Sequence, residues 1–541
     1  MTPRPDSDPV SVGMQALEVL TMRESAYLGS RARSNPDKPA VINASSDQVL
    51  SYRELDERSN RLAQWLYGQG LRRGDHMAVV LENNLRYFEV CWAALRSGLG
   101  VTPISRFLTP DEAAYIVADS QSQVVVSSYA MRDLASALTE RMPGCRCRLV
   151  VDGPVVGWAS YEEAIDSQPC EPLAQEWAGW IMLYSSGTTG RPKGIVRAEP
   201  QGLIDQGLEP TWVASRRIFD VSPDMVYLST APLYHAAPLT FSLATQFFGG
   251  TVVFVDKFDA AGSLAVIERY RVTHSQWVPT MFVRLLKLPD AERKAHDLSS
   301  HRVAIHAAAP CPVEVKHRMI DWWGPILREY YGASEGIGNT YIDSADWLAH
   351  PGSVGRTTGA ALHICDDQGL ELPPGEIGLI YFENPSPPFH YHNDPDKTRA
   401  AQHPLHSTWH TAGDIGYVDS QGYLYLTDRR SFMIISGGVN IYPQAIEDAL
   451  ALHPSVADVA VIGVPSQEMG EDVKAVVEAA AGAEPSEALA LELIDFLRDK
   501  VARYMLPRSV DFVDRLPRSP TGKLFKSALR ERYWPAVRDS R

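Results

Sequence analysis

Short apolar runs alternate with capped helical segments along most of this chain, and that alternation constrains the fold more than any other feature. Met77–Leu81, Val124–Ser127, Leu149–Asp152 and Trp180–Tyr184 read as short strands, several of them buried. Met225–Ser229, Thr251–Val255, Ser275–Val278, Val303–Ala307 and Ile326–Tyr331 repeat the pattern. Ser51-Tyr-Arg-Glu54 is a capping box opening a helix through Leu66. Thr109-Pro-Asp-Glu112 is a second, with proline at the first helical position. Strands alternating with helices predict mainly parallel sheets covered by helices, an α/β fold.

The texture changes after about Gly352. Short β-rich pieces with turns at Asp366–Gly369 and Pro373–Gly375 predict a small barrel-like subdomain over about 352–430. From Ser431 the pattern is mixed again, with a helix near Pro443–Leu452 and a strand near Asp458–Gly463. The expected division is a loose tail at 1–28, a large domain at 29–430 and a small α+β domain at 431–541.

Composition narrows the function classes. A net charge of −15 argues against nucleic acid or an anionic membrane as partner. No apolar run reaches the roughly 18 residues that span a bilayer. Met1–Pro9 has no apolar core like that of a secretory signal. The six cysteines are scattered, and Cys145 and Cys147 are too close for a usual zinc pair, so reduced thiols in the cytoplasm are expected.

Ser185–Gly194 reads Ser-Ser-Gly-Thr-Thr-Gly-Arg-Pro-Lys-Gly. Gly187, Gly190 and Gly194 let backbone N–H groups approach an anion. Ser185, Ser186, Thr188 and Thr189 add hydroxyl donors, and Lys193 adds charge. The loop predicts a nucleoside triphosphate. It departs from the ordinary kinase or ATPase loop, because Pro192 precedes Lys193 and Gly194 stands where a magnesium-binding hydroxyl belongs. It resembles instead the loop of the adenylate-forming superfamily of acyl-CoA ligases, luciferases and peptide-synthetase adenylation domains.

Further motifs follow in the superfamily's order from about Gly29 to Tyr533. Tyr331-Gly-Ala-Ser-Glu335 resembles its Tyr-Gly-x-Thr-Glu motif, with Ser334 for threonine. By that resemblance Tyr331, Gly332, Ala333 and Ser334 flank adenine opposite His306–Ala309, including Ala307 and Ala308, while Glu335 holds Mg2+ bridging ATP phosphates. Asp414, ending Trp409-His-Thr-Ala-Gly-Asp, and Arg429 are assigned to ribose. Arg429–Pro443 resembles the interdomain hinge and its following loop. Ser431 stands at the hinge, where the family usually has Asp or Lys, and Gly437 and Gly438 lie close to the pantetheine arm of coenzyme A. Lys523 in Pro517-Arg-Ser-Pro-Thr-Gly-Lys resembles the mobile catalytic lysine, with Lys526 the weaker candidate. His235 in Pro232-Leu-Tyr-His resembles the residue that gates thiol access, and Thr188 joins Lys523, Glu335 and His235 as catalytic.

The resemblance implies ATP-dependent ligation of a carboxylic acid to coenzyme A through an acyl-adenylate, and it allows a homodimer. Tyr234, His235, Val278, Thr280, Ala307, Ala308, Gly332, Ile337 and Gly338 are expected to line the acid pocket, mostly without charge, which favours a bulky apolar acid. Ala236 occupies the position where amino-acid-activating domains usually carry aspartate. Transfer to a carrier-protein phosphopantetheine and a catalytically silent nucleotide-binding relative are the competing readings.

Overall fold

The computed structural model describes residues 27–534 except 186–191, 207–211, 213–215, 430 and 519–523. The expectations for Ser186, Gly187, Thr188, Thr189, Gly190, Lys523 and most of the N-terminal tail lie outside the described residues.

Two sheets dominate. One is six-stranded and parallel throughout, in the spatial order Ala159–Ser160, Cys147–Val151, Ser122–Ser128, His76–Val80, Gly100–Pro103, Trp180–Ile181. The other has nine strands. Its parallel interior runs Leu327–Gly332, Val303–His306, His274–Trp277, Val226–Ser229, Thr251–Phe254, Pro39–Asn43, with antiparallel strands at both edges. One apolar core joins residues of both sheets, among them Val79, Val126, Tyr227 and Ile305, with the helices Tyr52–Gly68, Leu85–Arg96 and Ala236–Phe247.

The sequence explains these helices locally. Ser51 accepts from the Glu54 amide while Glu54 accepts from the Ser51 amide at 2.8 Å, and Thr109 and Glu112 repeat the exchange. Leu85–Arg96 is buried almost all round, so its charged residues survive only in pairs. Glu89 accepts from Arg58 and Arg86, both at 2.8 Å, and Arg96 reaches Asp56 at 2.8 Å and Glu176 at 2.5 Å.

The apolar run at Trp180–Tyr184 departs from the expected single buried strand. Trp180–Ile181 closes the six-stranded sheet, and Leu183–Ser185 begins a separate three-stranded sheet with Lys193–Arg197 and Phe389–Tyr391. Passing from one sheet to the other leaves both pieces half-buried, with Met182 alone buried between them.

Later strands form an antiparallel sheet of Ala361–Cys365, Gly378–Glu383, Asp414–Val418 and Leu424–Arg429, with Trp409–His410 beside Gly378–Glu383. The last part of the chain builds a further sheet from Ile434–Ser436, Val439–Ile441, Val456–Ser466, Gly470–Ala479 and Ser509–Val513, with its own core around Ile446, Leu450, Val461 and Leu493. Among the described residues no helix is long and apolar enough to cross a membrane.

Candidate active site

A cavity of about 2140 Å3 opens beyond the C-terminal ends of the parallel strands in the nine-stranded sheet. Thr230–Pro232 follow one strand, Val278 and Thr280 a second, Ala307 and Ala308 a third, and Ala333–Gly336 a fourth, and all of them line it. Open α/β sheets bind ligands at this end, where successive loops diverge and leave a crevice.

At one side stands the carboxylate of Glu335, 9% exposed, with the Tyr391 hydroxyl donating to its Oε1 at 2.7 Å. The ends of the Ser185–Gly194 loop are zipped together by antiparallel pairing of Ser185 with Lys193. Lys193 is ion-paired to Asp394 at 2.8 Å, while Ser185 and Pro192 line the cavity. Sequence reading missed Lys397, on the short helix Pro395–Ala400 capped by Asp394. It lines the cavity, and its pKa falls to about 8, chiefly through burial and then through the ammonium of Lys193, against the pull of Asp394 and Glu335. Pairing of Phe389–Tyr391 with Lys193–Arg197 delivers this helix to the loop, a contact between distant segments that no local motif announces.

Glu335 suits magnesium by its chemistry: one hard carboxylate on the cavity wall, with phosphate oxygens left to complete the shell. Among the described residues no cluster of three His, Cys, Asp or Glu side chains could hold a metal without such help.

The expected nucleoside side is a three-residue network. Tyr331 donates its hydroxyl to Asp414 Oδ2 at 2.7 Å, and Arg429 Nε donates to Asp414 Oδ1 at 2.9 Å. Burial, then the Asp414 charge, holds the Tyr331 phenol well above its ordinary pKa, and Asp414 in turn keeps Arg429 charged. Arg429, Ala412 and Gly413 line the cavity. Tyr331 is set behind the wall, its ring packed on Phe382 at 6.2 Å, so Gly332, Ala333 and Ser334 present the surface. Asp414 is likewise buried, yet each of its oxygens has a lone pair beyond the bond it already accepts. Opposite, Ala308 holds φ +75°, a left-handed conformation that costs a non-glycine residue roughly 1–2 kcal/mol.

Toward the acid side, His235 is the residue before the helix Ala236–Phe247 and packs on Tyr234 at 4.3 Å between ring centroids. Tyr234, His235, Ala236 and Ala237 line the cavity together with Val278, Thr280, Ala307, Ala308 and Gly332. Two expected pocket residues do not. Ile337 is 1% exposed in a core with Ile195, Ile380 and Phe382, and a Cβ on Gly338 would meet Phe382 at 2.3 Å. Gly336, at φ +69°, turns the chain there, so Ile337 enters the neighbouring core and Gly338 lies against Phe382, before Asn339–Tyr341 return to the cavity wall.

The C-terminal part contributes from the other side. Ser431, Asp458, Arg518 and Phe525 line the cavity. Arg518 bridges to Leu524 across 519–523 and is ion-paired to Asp458 at 2.5 Å. Lys526 is buried, paired to Glu447 at 2.8 Å and set over the Phe432 ring, so it is committed elsewhere. Gly437 and Gly438 form the tip of the hairpin between Ile434–Ser436 and Val439–Ile441, away from the cavity wall. Both have positive φ, as a two-residue turn of this hand requires, so the turn itself accounts for the glycine pair.

Over residues 28–387 the sequence matches the AMP-binding enzyme family, and over 445–523 the AMP-binding enzyme C-terminal domain. A feruloyl-CoA synthase of an Amycolatopsis species is 34% identical over 508 residues, which cover 93% of this chain and 97% of that protein. The long-chain-fatty-acid–CoA ligase FadD13 of Mycobacterium tuberculosis is 31% identical over 519 residues, 94% of this chain and 98% of the relative. Among solved structures, the anthranilate CoA ligase AuaEII in complex with anthranoyl-AMP superposes with a TM-score of 0.81 at 25% identity, covering 94% of this chain and 98% of that one. With the fold, the strand-end cavity and near end-to-end similarity in agreement, the chain belongs to the AMP-binding enzyme family, the adenylate-forming acyl-CoA ligases.

Proposed function

We propose that this protein is an ATP-dependent carboxylate–coenzyme A ligase, forming AMP and pyrophosphate, whose acid is bulky and apolar. One observation carries the reading: Glu335, Lys397, Arg429 and the Ala307–Ala308 wall line the same cavity as His235, Ala236 and Ala237. The named relatives, a feruloyl-CoA synthase and a long-chain-fatty-acid–CoA ligase, support a large acid and coenzyme A as acceptor.

In the first half-reaction a carboxylate oxygen of the acid attacks the α-phosphorus of ATP. The bond from that phosphorus to the bridging oxygen breaks, and pyrophosphate leaves. Such a displacement is accelerated by positioning and charge stabilisation rather than by proton transfer. The loop 185–194 and Lys397 hold the departing phosphates, Asp414 and Arg429 hold the ribose, and Lys523 bridges the acid carboxylate and the α-phosphate. Glu335 would hold a magnesium ion, which would supply charge neutralisation at the phosphates. In the second half the thiol sulfur of coenzyme A attacks the acyl carbon and AMP departs, leaving a thioester. Residues 431–541 turn as a unit against 29–430 between the halves, about Ser431, and His235 gates the thiol's approach. Arg518 and Phe525, on either side of 519–523, already line the cavity, which supports Lys523 as the residue serving adenylation. The cytoplasm supplies both ATP and coenzyme A and is the compartment this reading favours.

The test is a panel of carboxylic acids with ATP, magnesium and coenzyme A. Acid-dependent pyrophosphate release, with AMP and thioester in equal amounts, is expected. Acid-independent release of ADP would overturn the reading.

A further inference from the structure

The last part of the chain meets the large part at two points along one edge. Leu452, directly after the helix Pro443–Ala451, packs on the core that contains Phe282, Leu285 and Met319. Four residues on, the Val456 carbonyl accepts from Lys287 Nζ at 2.6 Å. Lys287 directly follows the helix Pro279–Leu286, which supplies Phe282 and Leu285 and whose Thr280 lines the cavity. One helix at the cavity wall thus takes part in both contacts.

The same edge leads to the segment that carries Lys523. Val456 opens the strand Val456–Ser466, and Asp458, two residues in, lines the cavity. Both Asp458 carboxylate oxygens accept from Arg518, from Nε at 2.5 Å and from Nη2 at 2.8 Å, a two-point fork that fixes the guanidinium in one orientation. Arg518 is bridged in turn to Leu524, so both ends of 519–523 are joined at Asp458 to the docked edge. A turn of residues 431–541 about Ser431 would carry Leu452, Val456 and Asp458 away together, whereas Lys287 and the Phe282 core stay with 29–430. The two docking contacts therefore belong to the arrangement in which Asp458 and Arg518 line the cavity. Contacts made in one arrangement and not in the other shift the population toward the first by their differential free energy.

We propose that Lys287 is a positioning residue for adenylation. With Leu452 it docks the edge that runs through Asp458 and Arg518 to 519–523, and it has no part in transfer to coenzyme A. The inference rests on the ligase reading, with its turn about Ser431, and assigns a residue that favours one of the two arrangements.

The experiment measures the two half-reactions of the full-length enzyme separately, with the best acid of the panel. One assay follows a single turnover of pyrophosphate release without coenzyme A, and the other follows thioester formation from supplied acyl-adenylate. Lys287 is exposed, so its hydrogen bond is worth the net value of one that solvent competes for. Lys287→Met should therefore slow adenylation about three- to tenfold and leave thioester formation unchanged. Leu452→Ala should shift the ratio of the two rates in the same direction, and Lys287→Arg, which retains N–H donors, should restore it. Both halves use the same folded molecules, so their ratio does not depend on how much of a variant is folded. An unchanged ratio in Lys287→Met, or a shifted ratio that Lys287→Arg does not restore, would overturn the proposal while leaving the ligase reading standing. Absence of pyrophosphate release by the wild type with every acid of the panel would refute the ligase reading itself, and this inference with it.

Discussion

Replacing Lys397 with methionine removes the cation that local charges leave available for phosphate. Lys193 already faces Asp394 at 2.8 Å, whereas Lys397 lines the cavity in which Glu335 also stands. Two unit charges about 4 Å apart interact by about 4 kcal/mol at an effective dielectric constant of 20. A hydrogen bond to a charged group nets about 1.5–3 kcal/mol once the water it displaces is considered. The smaller range governs at a site that solvent still reaches, so kcat/KM for ATP should fall about 10- to 150-fold. The pKa of about 8 adds a signature. A lysine with a depressed pKa is cationic below that value and loses its charge as pH rises through it. The charged fraction falls about tenfold between pH 7 and pH 9, and kcat/KM for ATP, which reports groups of the free enzyme, should fall with it. Pyrophosphate release at saturating acid, measured across this range, checks both effects. A methionine variant that kept wild-type kcat/KM and the same alkaline limb would refute the assignment.

Other outcomes follow from the same geometry. Lys523→Ala should suppress adenylation by a hundredfold or more while sparing thioester formation from supplied acyl-adenylate; equal loss in both halves would remove that role. Asp414→Asn replaces the acceptor shared by Tyr331 and Arg429 and should raise KM for ATP roughly tenfold or more, with less effect on KM for the acid, in initial-rate measurements at fixed acid and at fixed ATP. Glu89→Gln leaves Arg58 and Arg86 with Glu162 as their remaining carboxylate and should cost about 1–3 kcal/mol, read as a lower urea midpoint with unchanged KM for ATP.

Local chemistry made much of this fold legible. The Ser51 and Thr109 boxes specify their helices within four residues, and apolar runs such as Val303–Ala307 fall within a residue or so of the observed strands. Trp180–Tyr184 was harder, since an apolar run does not reveal that one half pairs in one sheet and the other half elsewhere. The site divides in the same way. Glu335, Ala307 and Ala308 follow parallel strands directly, so strand prediction already carries them to the cavity. Lys397 arrives by the pairing of Phe389–Tyr391 with Lys193–Arg197, and the Tyr227–Gln276 hydrogen bond joins two different strands. Neither leaves a local signature. Ile337 and Gly338 show the opposite failure: adjacency to a motif suggested the pocket, and the turn at Gly336 sends Ile337 into the core and Gly338 against Phe382.

In the proposed adenylation the acid's own oxygen attacks the α-phosphorus of ATP. Supplying an acid labelled with 18O in its carboxylate, with ATP, magnesium and coenzyme A, tests it directly by mass spectrometry of the nucleotide product. AMP should carry one labelled oxygen for each thioester formed. Unlabelled AMP, or ADP with labelled inorganic phosphate, would contradict it.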